Sequence, residues 1–368
     1  MEWNDRKVVV AMSGGVDSSV TACLLQEQGY EVMGLFMRTG VKQPEPKVTC
    51  DPTAEPTRER RGCCSASDAA DARFVAGQLG VPFYALNFEK DFDTLIDYFA
   101  DEYAAGRTPN PCVVCNDHLK FGKILQYADA VGARYIATGH YARTGERDGH
   151  RTLMRGVDRK KDQSYVLFGI GRDVLDRVMF PIGELEKPEV REIAGRLDLP
   201  NRNKPDSVEI CFAPDNDYAR VVRERRPDAF SPGKVVDTEG NELGTHDGVG
   251  HFTIGQRRGL GIATGKPIYV TELNASSKTV TVGTGPSLLS ETLVASRVNY
   301  LCAVGEGSFR ADVKIRYLHD PAPATVHRIS ESQVRVEFDD AQRAITPGQA
   351  VVFYDGETVL GGGWIDHH

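Results

Sequence analysis

Near its N-terminus the chain carries a run of small and acidic residues that has the composition of an anion-binding loop. The run follows an apolar stretch, precedes a helix-forming one, and reads Ser13-Gly14-Gly15-Val16-Asp17-Ser18-Ser19. Adjacent glycines let the backbone approach an anion closely, and the N–H groups at a helix start attract negative charge. The serines could bind phosphate or cap the helix, and Asp17 could hold Mg²⁺. The run is not a Walker loop, because it has no lysine before its Ser residues. The alternative to a phosphate loop is a tight strand-to-helix turn with Ser as its cap.

Cysteines form the second group of residues that could do chemistry. Cys112 and Cys115 have a Cys-x-x-Cys spacing, which ligates zinc or iron–sulfur clusters or forms a redox disulfide. The adjacent Cys63 and Cys64, with Cys50 before them, would chelate one metal ion poorly, and we expect free thiols or lid residues there. Eight cysteines in a chain of 368 residues do not indicate a secreted disulfide framework.

The first half of the chain alternates strand and helix patterns, which predicts an α/β fold with a doubly wound parallel sheet. The predicted strands are Lys7–Met12, Glu31–Met37, Val81–Phe88 and Arg134–Thr138, and the predicted helices are Ser18–Gln28, Ser67–Leu79, Phe92–Ala105 and His118–Ala130. Cys23, on the apolar face of the first helix, and Cys302 are expected to be buried structural residues. Residues Arg38–Arg61 are rich in Pro, Glu, Lys and Arg, which favours a mobile loop or lid beside the site.

From Ser231 onward the composition shifts to Gly, Thr and Val with closely spaced turn signals. Strand-like runs in the last part are Phe309–Arg316, Ala324–Ile329, Gln333–Phe338 and Ala350–Tyr354. The pattern predicts a small β-rich domain and then a β-barrel or sandwich. We therefore expect three domains, namely 1–213, 214–289 and 290–368, with limits good to within several residues.

Composition limits the possible function classes. The net charge of −8 gives no direct support for nucleic-acid binding, although local basic patches on an acidic protein can still hold RNA. The longest apolar runs are strand-sized, so no membrane span is expected. The acidic start lacks a signal-like stretch, and the expected location is the cytoplasm.

The glycine loop resembles the pyrophosphate loop of the adenylating ATP pyrophosphatases, whose fold is the adenine nucleotide alpha hydrolase type. A second set of motifs is similar to the tRNA 2-thiouridylase family of the MnmA/TrmU type. These motifs lie at Gly106–Asn116, Leu119–Phe121, Ala137–Arg143, Lys160–Tyr165, Ser207–Phe212, Gly255–Gly261 and Thr346–Gln349. The resemblance implies cleavage of ATP between its α- and β-phosphates and transfer of AMP to a tRNA uridine.

By this resemblance, Cys115 and Cys211 are the two catalytic cysteines. Cys211 would carry a persulfide that attacks C2 of the adenylated uridine, and Cys115 would release the product and leave a disulfide. The family commonly has Asp where this chain has Cys112, which puts the acid–base role of that position in doubt. Cys112, Cys115 and Cys211 together would suit a [4Fe–4S] cluster as in related thiolases, and this alternative is favoured slightly.

The resemblance also implies the substrate contacts. Those expected for ATP are Ala11, Met12, Ser13, Gly14, Gly15, Val16, Asp17 and Ser18 with Met37 and Gly139 around adenine and ribose. Those expected for tRNA are Asn110, Pro111, Cys112, His140, Lys161, Asp162, Gln163, Arg316, Tyr317 and Gln349, and the strand-rich end is expected to contact the anticodon stem. His140 could instead polarise the activated oxygen, and Tyr317 could only pack.

The sequence therefore predicts an ATP-dependent tRNA-uridine 2-sulfurtransferase that acts at the wobble position of tRNAs for Lys, Glu and Gln. Expected cofactors are ATP and Mg²⁺, with a [4Fe–4S] cluster as an open question, and an expected partner is a cysteine desulfurase or sulfur-relay protein. Two alternatives remain: another adenylating enzyme of the same superfamily, and a non-catalytic tRNA-binding iron–sulfur protein.

Overall fold

In a computed structural model of the chain, the described residues are 3–41, 65–206, 210–213, 215–262 and 265–367. Most of the predicted lid Arg38–Arg61 lies outside these ranges, as do Cys50, Cys63 and Cys64. Within the described ranges, no helix is long and apolar enough to cross a membrane.

Strands and helices alternate through the first part of the chain. The strands are β1 (Asn4–Ala11), β2 (Glu31–Arg38), β3 (Phe83–Asn87), β4 (Ala133–Thr138), β5 (Ala142–Arg147), β6 (His150–Arg155) and β7 (Val178–Met179). The helices are α1 (Val16–Glu27), α2 (Ala66–Leu79), α3 (Glu89–Ala104), α4 (Pro111–Val114), α5 (Ile124–Ala130) and α6 (Lys187–Arg196), with short 3₁₀ turns at Ser164–Val166 and Leu175–Arg177. Between α4 and α5 the helix continues as a π-helix over Cys115–Lys123.

The first sheet has five parallel strands in the order β3-β2-β1-β4-β7. Val8 and Val10 of β1 face one core cluster, which includes α1, α2 and α6, while Val9 faces another that includes α3 and α5. Helices therefore cover both faces, and the predicted doubly wound α/β fold is confirmed. The strand order reverses between β1 and β4, and ligands of such sheets bind at the carboxyl ends of the strands beside this reversal.

The predicted helix His118–Ala130 is longer than expected, because the helical segment begins at Pro111 and includes Cys112 and Cys115. Proline at the first helical position needs no N–H partner and is pre-set for a helix. The π-helix at Cys115–Lys123 widens the turn just where the second cysteine lies. Such segments are rare and occur frequently at functional sites.

The second part of the chain contains α7 and ten strands. They are α7 (Tyr218–Arg225), β8 (Gly233–Asp237), β9 (Glu242–His246), β10 (Tyr269–Asn274), β11 (Thr279–Gly283), β12 (Leu289–Tyr300), β13 (Ser308–Lys314), β14 (Ala322–Arg328), β15 (Val334–Arg343), β16 (Ala350–Asp355) and β17 (Thr358–His367), with 3₁₀ turns at Pro227–Phe230, Val249–His251 and Gly285–Leu288. Strands β8 to β11 form a four-stranded sheet over its own small core. Strands β12 to β17 form a six-stranded antiparallel barrel that is closed by pairing of β12 with β17.

The barrel is joined to the first domain by a shared sheet edge and by buried side chains. The β5–β6 hairpin, which the sequence analysis did not predict, pairs with β17 and extends the barrel sheet. Tyr165 donates a hydrogen bond from its buried hydroxyl to Ala350 O at 2.7 Å. Asn299 Nδ2 donates to Phe168 O at 2.7 Å and to Ile170 O at 2.9 Å. The barrel therefore has a fixed position beside the helix that carries Cys112 and Cys115.

Candidate active site

The conformation of the loop between β1 and α1 is stabilised by a serine hydroxyl. Ser18 Oγ accepts a hydrogen bond from Ser13 N at 3.1 Å and donates one to Gly15 O at 3.1 Å. Gly14 has φ +76°, and a β-carbon there would lie 2.2 Å from Asp68 O, so this position requires glycine. The first N–H groups of α1 have no acceptor within the helix, and they remain available to an anion.

The remaining loop residues that the sequence predicts for ATP contribute backbone. The side chains of Met12 and Val16 are buried in the core on one face of the sheet, and Ala11 packs against the core on the other. Ser13 is exposed, and Asp17 is half-buried at the start of α1. The side chains that face the open side of the loop are therefore those of Ser13 and Asp17.

A single carbonyl of the loop is fastened by residues almost two hundred positions away. Gly14 O accepts hydrogen bonds from Asn201 Nδ2 and Lys204 Nζ, both at 3.1 Å. Lys204 Nζ also donates to Asp68 Oδ1 at 2.6 Å and to Asp71 Oδ2 at 2.7 Å. The sequence analysis missed Asn201 and Lys204, because a lone amide and a lone lysine far from the loop give no local signal.

Asp17 has partners that the sequence analysis also missed. Lys187 Nζ lies 2.7 Å and 2.9 Å from the two carboxylate oxygens of Asp17 and 2.7 Å from Asp206 Oδ1. Tyr141 donates from its hydroxyl to Asp17 Oδ1 at 2.9 Å. Burial and the neighbouring Asp17 raise the pKa of Tyr141 well above its usual range, so this phenol stays protonated as a donor.

Gly139 and Met37 lie at the carboxyl ends of β4 and β2, the strands on either side of β1. A β-carbon on Gly139 would lie 2.7 Å from Ser18 N and 2.8 Å from Asp17 C, so the segment after β4 touches the phosphate loop directly. Met37 is half-buried and packs against the core. Both predicted adenine and ribose contacts thus flank the loop at the point of strand reversal.

The three site cysteines occupy different environments. Cys112 is exposed, whereas Cys115 and Cys211 are half-buried and pack against the same core cluster. Phe212, next to Cys211, inserts into that core with its ring centroid 5.0 Å from that of Phe99. Cys115 and Cys211 therefore approach one core from two separate segments of the chain.

The predicted three-cysteine ligand set does not form. In residues 3–41, 65–206, 210–213, 215–262 and 265–367, no three His, Cys, Asp or Glu side chains are grouped as they would be around a metal ion. Cys112, Cys115 and Cys211 all belong to those ranges. The spacing of Cys112 and Cys115 predicted a chelate, but with Cys211 they do not form a three-ligand group in the described part of the chain.

His140 lies between the phosphate loop and the helical segment Pro111–Ala130, called here the cysteine helix because it carries Cys112 and Cys115. Its Nε2 lies 3.4 Å from Lys120 Nζ, and its Nδ1 lies 2.7 Å from Thr138 Oγ1. Complete burial and the charge of Lys120 lower the pKa of His140 well below its ordinary value, so the ring is neutral at pH 7. Since an ammonium group only donates, Nε2 is the acceptor and the proton resides on Nδ1. The ring packs against Phe121 and Phe180, which also contact each other, and this burial disfavours its predicted contact with tRNA.

The segment before the cysteines is supported by the barrel. Gln349 Nε2 donates to Thr108 O at 2.9 Å and to Pro109 O at 3.2 Å. These carbonyls immediately precede Asn110 and Pro111, where α4 begins. Gln349, predicted as a tRNA contact, therefore already binds backbone and positions the entrance of the cysteine helix.

The predicted tRNA contacts at 161–163 make internal contacts. Lys161 Nζ donates to Asp206 Oδ2 at 2.7 Å and remains partly exposed. Asp162 is buried and accepts hydrogen bonds from Gly156 N, from Ser164 N and Oγ, and from Arg155 Nε. Gln163 Oε1 accepts from Tyr141 N at 3.0 Å. The contact of Asp162 with tRNA stays a prediction, and in this structure its buried carboxylate shapes the loop through four internal donors.

Arg316 and Tyr317 lie on the barrel surface. Arg316 is half-buried and donates from Nη1 to Arg343 O at 3.0 Å. Tyr317 is 37% exposed and is electrostatically coupled to Cys112, which helps to raise its pKa after the larger effect of burial. The neighbouring Leu318 is 89% exposed. This edge of the barrel therefore borders the exposed cysteine.

The expectation that Cys23 and Cys302 are structural is confirmed by their burial. Burial raises the pKa of Cys23 to about 11, which keeps it a protonated thiol. Cys302 Sγ lies 2.8 Å from Thr152 Oγ1 within the junction between the barrel and the β5–β6 hairpin. Neither thiol is available for sulfur transfer.

Three family models together match almost the whole chain. They are described as a tRNA methyl transferase HUP domain over residues 6–215, a tRNA methyl transferase PRC-barrel domain over 220–284 and an aminomethyltransferase β-barrel domain over 290–365. Among solved structures, an NMN synthetase from Francisella tularensis is 15% identical, covers 60% of this chain and 76% of its own, and has a TM-score of 0.34.

The chain is also similar to named relatives over its full length. A tRNA-specific 2-thiouridylase MnmA from Carboxydothermus hydrogenoformans is 49% identical over 98% of both chains. A protein of the same name from Geotalea uraniireducens is 48% identical over 98% of this chain and 95% of its own.

We predict that Gly139→Ala weakens ATP binding about tenfold or more, because its new methyl group must displace the backbone at Asp17 and Ser18. The measurement is the ATP-dependent rise in Tm. Gly77→Ala is the matched control, since a β-carbon there meets nothing within 4 Å. An unchanged ATP-dependent Tm shift in Gly139→Ala would show that ATP does not use this loop.

Proposed function

The chain belongs to the tRNA-specific 2-thiouridylase family, and we propose that it replaces the 2-oxygen of a tRNA uridine by sulfur at the expense of ATP. Both the relatives and two of the family models carry tRNA in their names. By analogy with the family, the target is the wobble uridine of tRNAs for Lys, Glu and Gln. A cysteine desulfurase or a sulfur-relay protein would deliver the sulfur.

One chain of contacts carries this proposal, because it joins an adenylation loop to a cysteine helix. Gly139 lies against the backbone of Asp17 and Ser18, and the next residue, His140, approaches Lys120. Lys120 belongs to the same π-helix that begins at Cys115. A base adenylated beside the loop would therefore lie near the thiols, which an adenylating enzyme without sulfur chemistry does not need.

ATP would bind with its phosphates at the N–H groups that open α1 and its adenine between Met37 and Gly139. Mg²⁺ usually takes one or two carboxylates together with phosphates and water, so Asp17 alone could serve as its protein ligand if one of its oxygens gave up a present bond to Lys187 or Tyr141. The ion would supply positive charge beside the triphosphate. Serine hydroxyls of the loop maintain its shape, as their bonds to Ser13 N and Gly15 O indicate.

The proposed reaction consists of adenylation of the uridine followed by sulfur transfer. The uridine 2-oxygen bonds to the α-phosphorus, and the electron pair of the broken P–O bond leaves with pyrophosphate. The terminal sulfur of a Cys211 persulfide attacks C2, and AMP departs with the former 2-oxygen. The Cys115 thiolate attacks the Cys211 sulfur, the S–S electron pair stays with the thiouridine, and a Cys115–Cys211 disulfide forms. A dithiol reductant must restore both thiols before the next turnover.

A persulfide route is favoured over a cluster because the described residues offer no three-donor group. Cys112 occupies the position where the family that the motifs resemble commonly has Asp, and its exposure suits contact with the target base. An enzyme that acts at C2 needs an unstacked base, and an anticodon loop already provides one. Arg316 and Lys161 would then contact phosphates, and Gln349 would keep the entrance to the cysteine helix in place.

Substitution of Cys211 and of Cys115 should block the reaction at different stages. Cys211→Ser should release pyrophosphate with tRNA at the wild-type rate and form no 2-thiouridine, since a hydroxyl cannot carry the sulfur. Cys115→Ser should accumulate tRNA joined to Cys211 through two sulfur atoms, which a small dithiol releases. Pyrophosphate release, nucleoside analysis and gel mobility measure the three species.

Cys302→Ala is the control for loss of a cysteine remote from the site, and it should thiolate normally below its unfolding temperature. Normal thiolation by Cys211→Ser would contradict the assignment of the persulfide carrier.

Cys112→Asp should retain thiolation from a persulfide donor, because it restores the side chain that relatives commonly carry. The measurement is single-turnover thiolation together with iron and sulfide analysis of anaerobically reconstituted protein. Wild type that binds four irons, and a Cys112→Ala variant that loses iron and thiolation together, would instead establish the cluster.

Arg316→Glu should weaken tRNA binding and reduce the slope of log Kd against log salt by about one, as expected for one lost phosphate contact. ATP affinity should not change. Arg310→Glu is the matched control, because Arg310 is exposed on the same barrel but paired with Asp339. Equal salt slopes in wild type and Arg316→Glu would place the tRNA on another surface.

A further inference from the structure

Lys187 lies beside the phosphate loop and is more buried than Lys204, the other lysine that contacts this region. Its side chain is 9% exposed and lies between the carboxylates of Asp17 and Asp206. It stands at the first position of α6, where its backbone N donates to Asp158 Oδ2 at 3.0 Å. Burying an ammonium group is costly unless carboxylates or phosphates surround it. Asp17 and Asp206 meet this requirement, and they hold the ammonium group beside the first turn of α1, next to the anion-binding loop.

Lys204 gives an internal comparison. Its ammonium group has three N–H donors and three acceptors, namely Gly14 O, Asp68 Oδ1 and Asp71 Oδ2. Lys204 is therefore saturated, and its role is to fasten the loop backbone. Lys187 makes its hydrogen bonds to the two oxygens of one carboxylate, that of Asp17. A bond to a second group needs only a rotation of its last side-chain torsions.

Asp206 has the complementary feature. Its Oδ1 lies 2.7 Å from Lys187 Nζ, but this buried oxygen has no hydrogen bond of acceptable geometry. A rotation of the ammonium group that gives up one bond to Asp17 would direct an N–H at Asp206 Oδ1. The group would then hold Asp17 and Asp206 with one N–H each, and the third N–H would be free to turn to the phosphates at the loop.

We propose that Lys187 is a catalytic residue of the adenylation step that binds a phosphate oxygen of ATP, and that Asp206 is its positioning residue. This inference rests on the proposed function. As the uridine oxygen bonds to the α-phosphorus and the P–O bond to the β-phosphate breaks, negative charge moves onto the departing pyrophosphate. An ammonium group already held at the loop stabilises that charge without solvent reorganisation, and no proton is transferred.

The surroundings keep Asp206 suited to this task. Burial alone would raise the pKa of Asp206, but the hydrogen bond from Lys161 and the charges of Lys187 and Lys161 lower it overall, so the carboxylate stays ionised. Arg191, one turn further along α6, adds a third cation 3.9 Å from Asp206. Asp206 therefore remains anchored when Lys187 shares its bonds with ATP.

The test is the steady-state rate of tRNA-dependent pyrophosphate release as a function of ATP. Lys187→Met keeps the length of the side chain and removes the charge. It should lower kcat about 100-fold, the effect of deleting one transition-state donor, with a much smaller change in KM for ATP. Asp206→Asn should lower kcat less, and the double variant should be no slower than Lys187→Met alone, because both changes remove one interaction.

Arg196→Met is the matched control, since it removes an exposed cation from the opposite end of α6 and should leave kcat unchanged. Tm without ATP reports folding, and if Lys187→Met is insoluble, Lys187→Gln tests the same point, because it also removes the charge. A kcat for Lys187→Met or Lys187→Gln within twofold of wild type overturns the inference, as does additive loss in the double variant. Absence of tRNA-dependent pyrophosphate release from wild type would instead overturn the proposed function.

Discussion

The architecture of the site depends on the carbonyl of Gly14. A loop that presents N–H groups to an anion must direct its carbonyls elsewhere, and a carbonyl turned into the protein has to be hydrogen-bonded there. Asn201 and Lys204 provide these bonds, and Lys204 ties the same point to α2 through Asp68 and Asp71. The loop conformation is thus fixed by a distant segment that runs directly into the sequence around Cys211. The phosphate loop is therefore supported by the segment that leads to Cys211.

Much of the fold was predictable because its signals are local. The buried Val8–Val10 run of β1, the glycines after that strand and the alternation of strands and helices specify the parallel sheet. The helix start at Pro111 was missed, because the apolar periodicity is clear only after His118 and the π-helix shifts the phase within it. The β5–β6 hairpin was missed because its strand partner, β17, comes two hundred residues later.

The site was predictable where motif residues act through backbone or thiol chemistry, and less so where side chains meet across the fold. Lys187 and Lys204 carry no spacing signal, since their partners lie about 170 and 190 positions away. Asp162 has a charged side chain in a recognised motif, but only the structure reveals that four internal donors occupy it. The acidic net charge is similarly uninformative, because Arg225 and Arg226 of one basic run pair with aspartates of α3 and are not available to RNA.

The bond from Gln349 to Thr108 and Pro109 also bears on the order in which the protein is made. The partners are 241 residues apart, so at roughly 5–20 residues per second the ribosome needs roughly ten to fifty seconds between them. During that interval the parallel sheet can fold, but the approach to Cys112 and Cys115 has no barrel to rest on. The parallel sheet can thus form before the barrel supports the segment that leads to Cys112 and Cys115, and the surroundings of these thiols are completed only in the last stage of synthesis.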